Sequence, residues 1–177
     1  ESHPNCTFCV TGAELVDPQK KRIGMVRPYD ADCDVPTDEL ILGGGGWSPG
    51  ACDDLRRFVE ANALPVACAF RFQDLFDNHH PNYVGDVGIG INPKLAERIR
   101  GSDLVLAIGP RLGEMTTSGY TLFDAPVPRQ PIVHVHSGAE ELGRVYQARL
   151  MINSGMAEFA AGVRDLRVDS TAWRTAA

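Results

Sequence analysis

The sequence predicts an α/β protein built on a doubly wound, mainly parallel sheet with helices on both faces. Three observations carry that prediction. Short apolar runs recur along the chain, helical segments lie between them, and each run ends abruptly in glycine, proline or a charged residue. An apolar run of four or five residues reads as a strand buried on both faces, and strands joined through a helix pair in parallel. The runs are residues 40–42 before Gly43-Gly44-Gly45-Gly46, 65–69 before Arg71, 104–108 before Gly109-Pro110-Arg111, and 132–135 before His136 and Ser137. In open α/β sheets ligands gather beyond the carboxyl ends of the strands, so these ends predict one ligand-facing edge.

The elements follow in order. After the 40–42 strand, Ser48 and Pro49 supply an N-cap and a first-turn proline for a helix that ends near Asn62, with Leu55, Phe58, Val59 and Ala63 on one face. The 65–69 strand is followed by a long irregular stretch, 70–91, of a length usually reserved for function. Asn92 and Pro93 open a helix to about Arg100, and Gly101-Ser102 turns into the 104–108 strand. A polar stretch then leads to the strand at 132–135. Residues 139–145 predict a short helix, 149–152 a further strand, and 156–166 the last helix, with Met156, Phe159, Ala160 and Val163 facing inward. Residues 1–39 share none of this pattern and are read as an atypical N-terminal segment, linker or edge. Only 22–26 has strand character there. Residues 40–168 form the domain, and 169–177 a tail.

A chain of 177 residues with 44% apolar content supports one full core. Its net charge of −6 argues against nucleic acid, which requires clustered Lys and Arg. No stretch approaches the roughly 20 apolar residues of a membrane span, and the first residues do not open like a signal peptide. Cys6, Cys9, Cys33, Cys52 and Cys68 form an odd set in a chain too large to need disulfide staples, which predicts reduced thiols and a cytoplasmic setting. Cys6 and Cys9 have C-x-x-C spacing but neither the second pair of a zinc site nor the strand-helix context of a redox site, so they read as free thiols.

Several groups carry candidate chemistry. Gly43, Gly44 and Gly45 follow a strand and precede a helix, where backbone can cradle phosphate. They do not complete G-x-G-x-x-G, and no acid ends the next strand, which argues against an independent NAD-binding protein. Arg71 and Arg111 stand just past strand ends and are candidates to clamp one anion across a crevice, or to form structural ion pairs with nearby acids. His134 and His136, at i and i+2, share a face of their strand but lack a third ligand, so no metal site is assigned. No catalytic triad signature or Gly-x-Ser-x-Gly occurs.

The runs 40–47, Ala69-Phe70-Arg71-Phe72-Gln73-Asp74, Gly85-Asp86-Val87-Gly88-Ile89-Gly90, 104–114, and Val133-His134-Val135-His136 with 139–144 resemble the central, Rossmann-like domain of thiamine-diphosphate-dependent enzymes of the acetolactate synthase and benzoylformate decarboxylase type. The resemblance spans about 40–166. It implies a non-catalytic domain, inactive alone, of a lyase or transferase parent that acts on 2-oxo acids by decarboxylation or carboligation. Thiamine diphosphate and magnesium would then belong to the full-length parent, held by its pyrimidine- and pyrophosphate-binding domains in a homo-oligomer. In one branch the central domain binds FAD, in others ADP or nothing, leaving a purely structural, dimerising scaffold as the alternative. Carried over residue by residue, Gly85, Gly88, Gly109, Arg111, Glu141 and Gly143 match dinucleotide-contacting positions. Position 136 is His136 where the resemblance implies an acid, and Gly113 and Met115 replace polar partners. Residues 34–39 offer neither the helix nor the longer strand that the resemblance implies ahead of the glycine run.

Overall fold

The computed structural model describes residues 38–167. Six strands, β1 (Asp38–Leu42), β2 (Val66–Ala69), β3 (Tyr83–Val87), β4 (Leu104–Ile108), β5 (Ile132–His136) and β6 (Leu150–Asn153), form one sheet in the order β3-β2-β1-β4-β5-β6. Every pairing is parallel, as the sequence predicts. From β1 the chain steps outward to β3, returns to lay β4 beside β1, and steps outward the other way. The strand order therefore reverses between β1 and β4, and the crevice rule for open sheets points there.

Helices α1 (Pro49–Asn62), α2 (Pro93–Gly101) and α3 (Met156–Val163) cover the two faces. The Ser48 hydroxyl accepts from the Ala51 amide at 3.2 Å and the Asn92 side chain from the Lys94 amide at 2.9 Å, so both predicted caps form. Strand alternation divides the core. Leu40 and Leu42 join Leu55, Phe58, Val59, Phe159 and Val163 beneath α1 and α3, whereas Ile41 joins Leu95, Ile99 and Val105 beneath α2. The β4–β5 connection has no helix of its own. It covers the α2 face with Leu112, Leu122 and Phe123, all buried.

Five expectations are corrected. The irregular 70–91 stretch contains the 3₁₀ turn Gln73–Leu75 and the edge strand β3. Its apolar run is broken by Gly85 and Asp86, and an edge strand pairs on one side only and needs no continuous apolar stretch; its register against β2 also shifts between Val66 and Ala67. The 139–145 helix shrinks to one 3₁₀ turn, Ala139–Glu141, because Gly138 and Gly143 flank it and glycine costs a helix about 1 kcal/mol. Helix α3 stops at Val163 rather than Leu166, and Ala63 is exposed at the end of α1. Lastly, the first strand, read as 40–42, begins at Asp38, which pairs with Leu104. The signal was hidden because Asp38 and Glu39 are acids in a buried strand. The 22–26 strand and the Cys6, Cys9 and Cys33 thiols lie outside the described residues.

Asp38 is buried, and burial, reinforced by the Asp103 and Glu39 carboxylates, pushes its acid up from 3.8 to about 7. Between about pH 4 and pH 7 the folded chain therefore holds a proton that the unfolded chain has released, so this group's contribution falls as pH rises through that window. Urea unfolding at pH 5 and pH 7.5 is expected to show a smaller loss of stability with rising pH in Asp38→Asn than in the unmodified chain. An identical pH slope in both would contradict this reading.

Candidate functional site

At the switch point two loops lock onto each other. The Gly43 amide donates to the Ile108 carbonyl at 3.2 Å and the Gly109 amide to the Val135 carbonyl at 2.8 Å, which extends the ladder past the strand ends. Gly44 has φ +74° and Gly109 φ +84°; a Cβ on Gly44 would collide with the Gly109 carbonyl, and one on Gly109 with the Gly43 carbonyl and the Met156 sulfur. A Cβ on Gly43 would lie 2.8 Å from that of Ala69. The glycine run thus serves loop-to-loop contact at Gly43 and Gly44, while Gly45 faces open space. Trp47 closes this half of the edge, its indole N–H donating to the Gly43 carbonyl at 2.9 Å.

The open crevice lies one strand over, beyond β4 and β5. It measures about 180 Å³ and is lined by Arg111, Leu112, Gly113, Tyr120, His134, Glu141, Arg144, Val145 and Tyr146. Glu141 is 7% exposed at its side chain, yet both of its cationic partners are largely in solvent, Arg111 at 71% and Arg144 at 64%. Arg144 donates to Glu141 Oε1 at 2.7 Å, and the Arg111 Nε stands 3.6 Å from the same oxygen. Two guanidiniums share one carboxylate, leaving a net positive mouth. A second, more open groove of about 430 Å³ runs between Gly88–Ile91 and Glu114–Gly119, with Ile89 and Met115 exposed.

Protonation of the crevice floor follows from burial. His134 is 2% exposed, and burial holds its imidazole below the ordinary value, with His136 acting the same way against the Pro110 hydrogen bond and Glu141. The ring is neutral. Its Nε2 lies 2.9 Å from the Pro110 carbonyl, which can only accept, so this contact assigns the proton to Nε2 and leaves Nδ1 an acceptor. Burial raises the Tyr146 phenol, which keeps its proton. Its hydroxyl is buried beside Thr117, whose own hydroxyl donates to the Gly113 carbonyl, and makes no hydrogen bond of ordinary geometry among the described residues. His136 sits at the strand end, its Nδ1 accepting from the Gly138 amide at 3.0 Å.

The ten sequence-predicted site residues therefore separate. Arg111 and Glu141 meet in the crevice, and Gly109 forms its approach from β4. Gly143 packs against Met151 beside it. Gly85 and Gly88 stand on the far side of the sheet edge, Gly88 against Phe70 and Met115. Arg71 does not join Arg111 across one crevice. It is exposed at φ +70°, with its guanidinium 5.3 Å from the Phe70 ring centre, and forms no ion pair among the described residues. Strand β1 lies between β2 and β4, and Arg71 does not line the crevice beyond β4 and β5. Arg111 does form a structural ion pair, with Glu141. Sequence reasoning missed Arg144 and Tyr146; the i,i+3 spacing from Glu141 signalled the first, and nothing local signalled the second. Among the described residues no group of three or more His, Cys, Asp or Glu is placed to hold a metal, and no helix is long and apolar enough to cross a membrane.

A six-stranded parallel sheet with its strand order reversed at a glycine crossing, and a cationic crevice beside that crossing, defines an open α/β domain of the doubly wound class. The chain belongs to the thiamine pyrophosphate enzyme central-domain family, whose model matches residues 39–163. It is similar to the acetolactate synthase large subunit of Corynebacterium glutamicum, 27% identical over 113 residues, covering 64% of this chain and 18% of that protein. It is also similar to sulfoacetaldehyde acetyltransferase of Alcaligenes xylosoxydans xylosoxydans, 27% identical over 75% of this chain and 22% of that protein. The acetolactate synthase large subunit of Parasynechococcus marenigrum is 28% identical over 78% of this chain and 22% of its own length. The chain spans about a fifth of the length of these relatives.

Proposed function

We propose that this domain is the non-catalytic central domain of a longer, oligomeric thiamine-diphosphate-dependent enzyme acting on 2-oxo acids, and that its crevice beyond β4 and β5 binds the diphosphate of an adenine nucleotide, FAD or ADP. One observation carries the nucleotide reading. Arg111 and Arg144 hold two largely exposed guanidiniums at the mouth of a crevice beside the switch point, where an anion finds charge-assisted donors at little cost in new desolvation. The family match and the relatives' names support the parent enzyme class. Thiamine diphosphate and magnesium belong, in this reading, to flanking domains of that parent. The free Cys52 and Cys68 thiols support a cytoplasmic location.

Thermal unfolding of the chain with ADP and with FAD tests the binding. A ligand of the folded state raises the midpoint as its concentration passes Kd. Losing one charge-assisted contact costs about 1.5–3 kcal/mol, so Arg111→Ala is expected to weaken ADP binding about 10-fold or more. An unchanged midpoint at millimolar ADP and FAD would leave the second reading, an unliganded scaffold that spaces and dimerises its flanking domains. That alternative has its own support in the switch point, which Trp47 and the glycine contacts fill with the chain's own atoms.

A further inference from the structure

We infer that Ser118-Gly119-Tyr120 is a strained strap that walls the crevice beyond β4 and β5 on one side and the neighbouring groove on the other, and that its release opens both together. The inference holds whichever ligand enters either opening. Backbone geometry marks the segment. Ser118, Gly119 and Tyr120 have φ of +52°, +69° and +63°, three successive residues in the left-handed region. Glycine apart, L-residues enter that region singly and at a cost, and a bulky side chain such as tyrosine is poorly suited to it. A backbone held this way persists only while its surroundings hold it, and it relaxes when they let go.

Position gives the strain a consequence. Tyr120, 45% exposed, lines the crevice with Arg111 and His134, whereas Ser118 and Gly119 line the groove opposite Gly88–Ile91. One turn is therefore the wall between two openings. The contacts that hold it fall into two sets. Within the segment, the Gly119 amide donates to the Glu114 carbonyl at 2.9 Å, the Thr121 amide to the Thr117 carbonyl at 3.0 Å, and the Thr121 hydroxyl to the Ser118 carbonyl at 2.7 Å, which closes the turn on itself. Across the groove, the Ser118 hydroxyl donates to the Gly88 carbonyl at 3.1 Å and ties the wall to the loop after β3. Thr117 before the turn and Leu122 and Phe123 after it are buried, so the ends are fixed while the middle is exposed. Changing the sign of φ between two fixed ends is how a few hinge residues switch a loop. In this turn the switch swings the Tyr120 ring away from the crevice and breaks the Ser118 tie in the same motion.

Relaxation-dispersion NMR of the full 177-residue chain, carrying fluorotyrosine and uniformly labelled at its amides, tests the strap without any ligand. The Tyr120 fluorine signal, assigned by its loss in Tyr120→Phe, is expected to exchange on the microsecond-to-millisecond scale of lid motions, and the amides of Gly88 and Ser118 at the same rate. Gly119→Ala isolates the strain, because a Cβ there meets nothing within 4 Å and the φ of +69° remains. It is expected to raise the population of the open state about fivefold or more. Ser118→Ala removes the tie across the groove and is expected to raise that population about 2- to 10-fold, at an exposed turn where neither change touches the core. Thermal unfolding confirms that both variants fold. A Tyr120 signal without exchange, different rates on the two sides of the wall, or a Gly119→Ala chain with an unchanged open population would overturn the strap.

Discussion

Gly44→Ala is expected to destabilise this domain severely, while Gly45→Ala, one residue on, leaves it near full stability. The contrast is geometric. At Gly44 the backbone has φ +74° and an added Cβ drives into the Gly109 carbonyl, a main-chain atom of a buried strand end that no rotamer change can move. Left-handed strain costs about 1–3 kcal/mol, and forced overpacking about as much again. Together these, about 2–6 kcal/mol, remove a large part of the stability of a typical domain, about 5–15 kcal/mol. Opening the contact would pull β1 from β4 at the centre of the sheet. At Gly45 a Cβ meets nothing within 4 Å. Urea unfolding followed by circular dichroism measures both variants, and equal midpoints would refute the interlocked crossing.

Arg98→Met carries the second large effect. Glu39 is fully buried in β1, on the face covered by α2, and the Arg98 guanidinium of α2 reaches one of its oxygens; the other has no hydrogen-bond partner among the described residues. Burial pushes this carboxyl up, and Arg98 is the group that draws it back down. Removing the cation leaves a buried charge, which costs about 3 kcal/mol, although the 41% exposure of Arg98 places the loss at the lower end of such effects. The sign with pH follows. With its acid raised further, the variant's Glu39 is neutral at low pH and unpaired at high pH, so destabilisation grows as pH rises. Glu39→Leu with Arg98→Met is expected to recover most of the loss. Denaturation midpoints of the single and double variants at pH 5.5 and 8 measure this, and a double variant no more stable than Arg98→Met would contradict it.

The fold was legible because its signals are local. Ser48-Pro49 and Asn92-Pro93 mark helix starts by side-chain chemistry that needs no tertiary context, and the buried strands β2, β4 and β5 are continuous apolar runs. Elements whose character depends on neighbours were not. β3 pairs on one edge and tolerates Gly85 and Asp86, and β1 carries two acids that only α2 and burial explain. The same division holds for the site. Arg111 announces itself after a strand and a Gly-Pro turn, whereas the pairing of Arg71 with Arg111 required knowing that β2 and β4 lie on opposite sides of β1. Of the four glycines only Gly43 and Gly44 make a close approach, at Gly44 to the chain's own Gly109 loop, whereas Gly45 and Gly46 face open space.

Glu141 shows why a recognised position still needed its surroundings. Matched to a ligand-contacting residue, it lies at the bottom of a crevice as the shared counter-ion of Arg111 and Arg144. Its carboxylate orients the cations; Arg144, Tyr146 and His134 complete a lining that no single segment encodes.

The most direct test of the crevice as a nucleotide site is amide chemical-shift mapping of the isotopically labelled chain during titration with ADP. The account predicts perturbations centred on residues 109–113 and 141–146, with Arg71 and the Gly45-Gly46 turn unmoved. Shifts centred instead on Arg71 and the Gly43–Gly46 loop, or a spectrum unchanged at millimolar ADP, would contradict it.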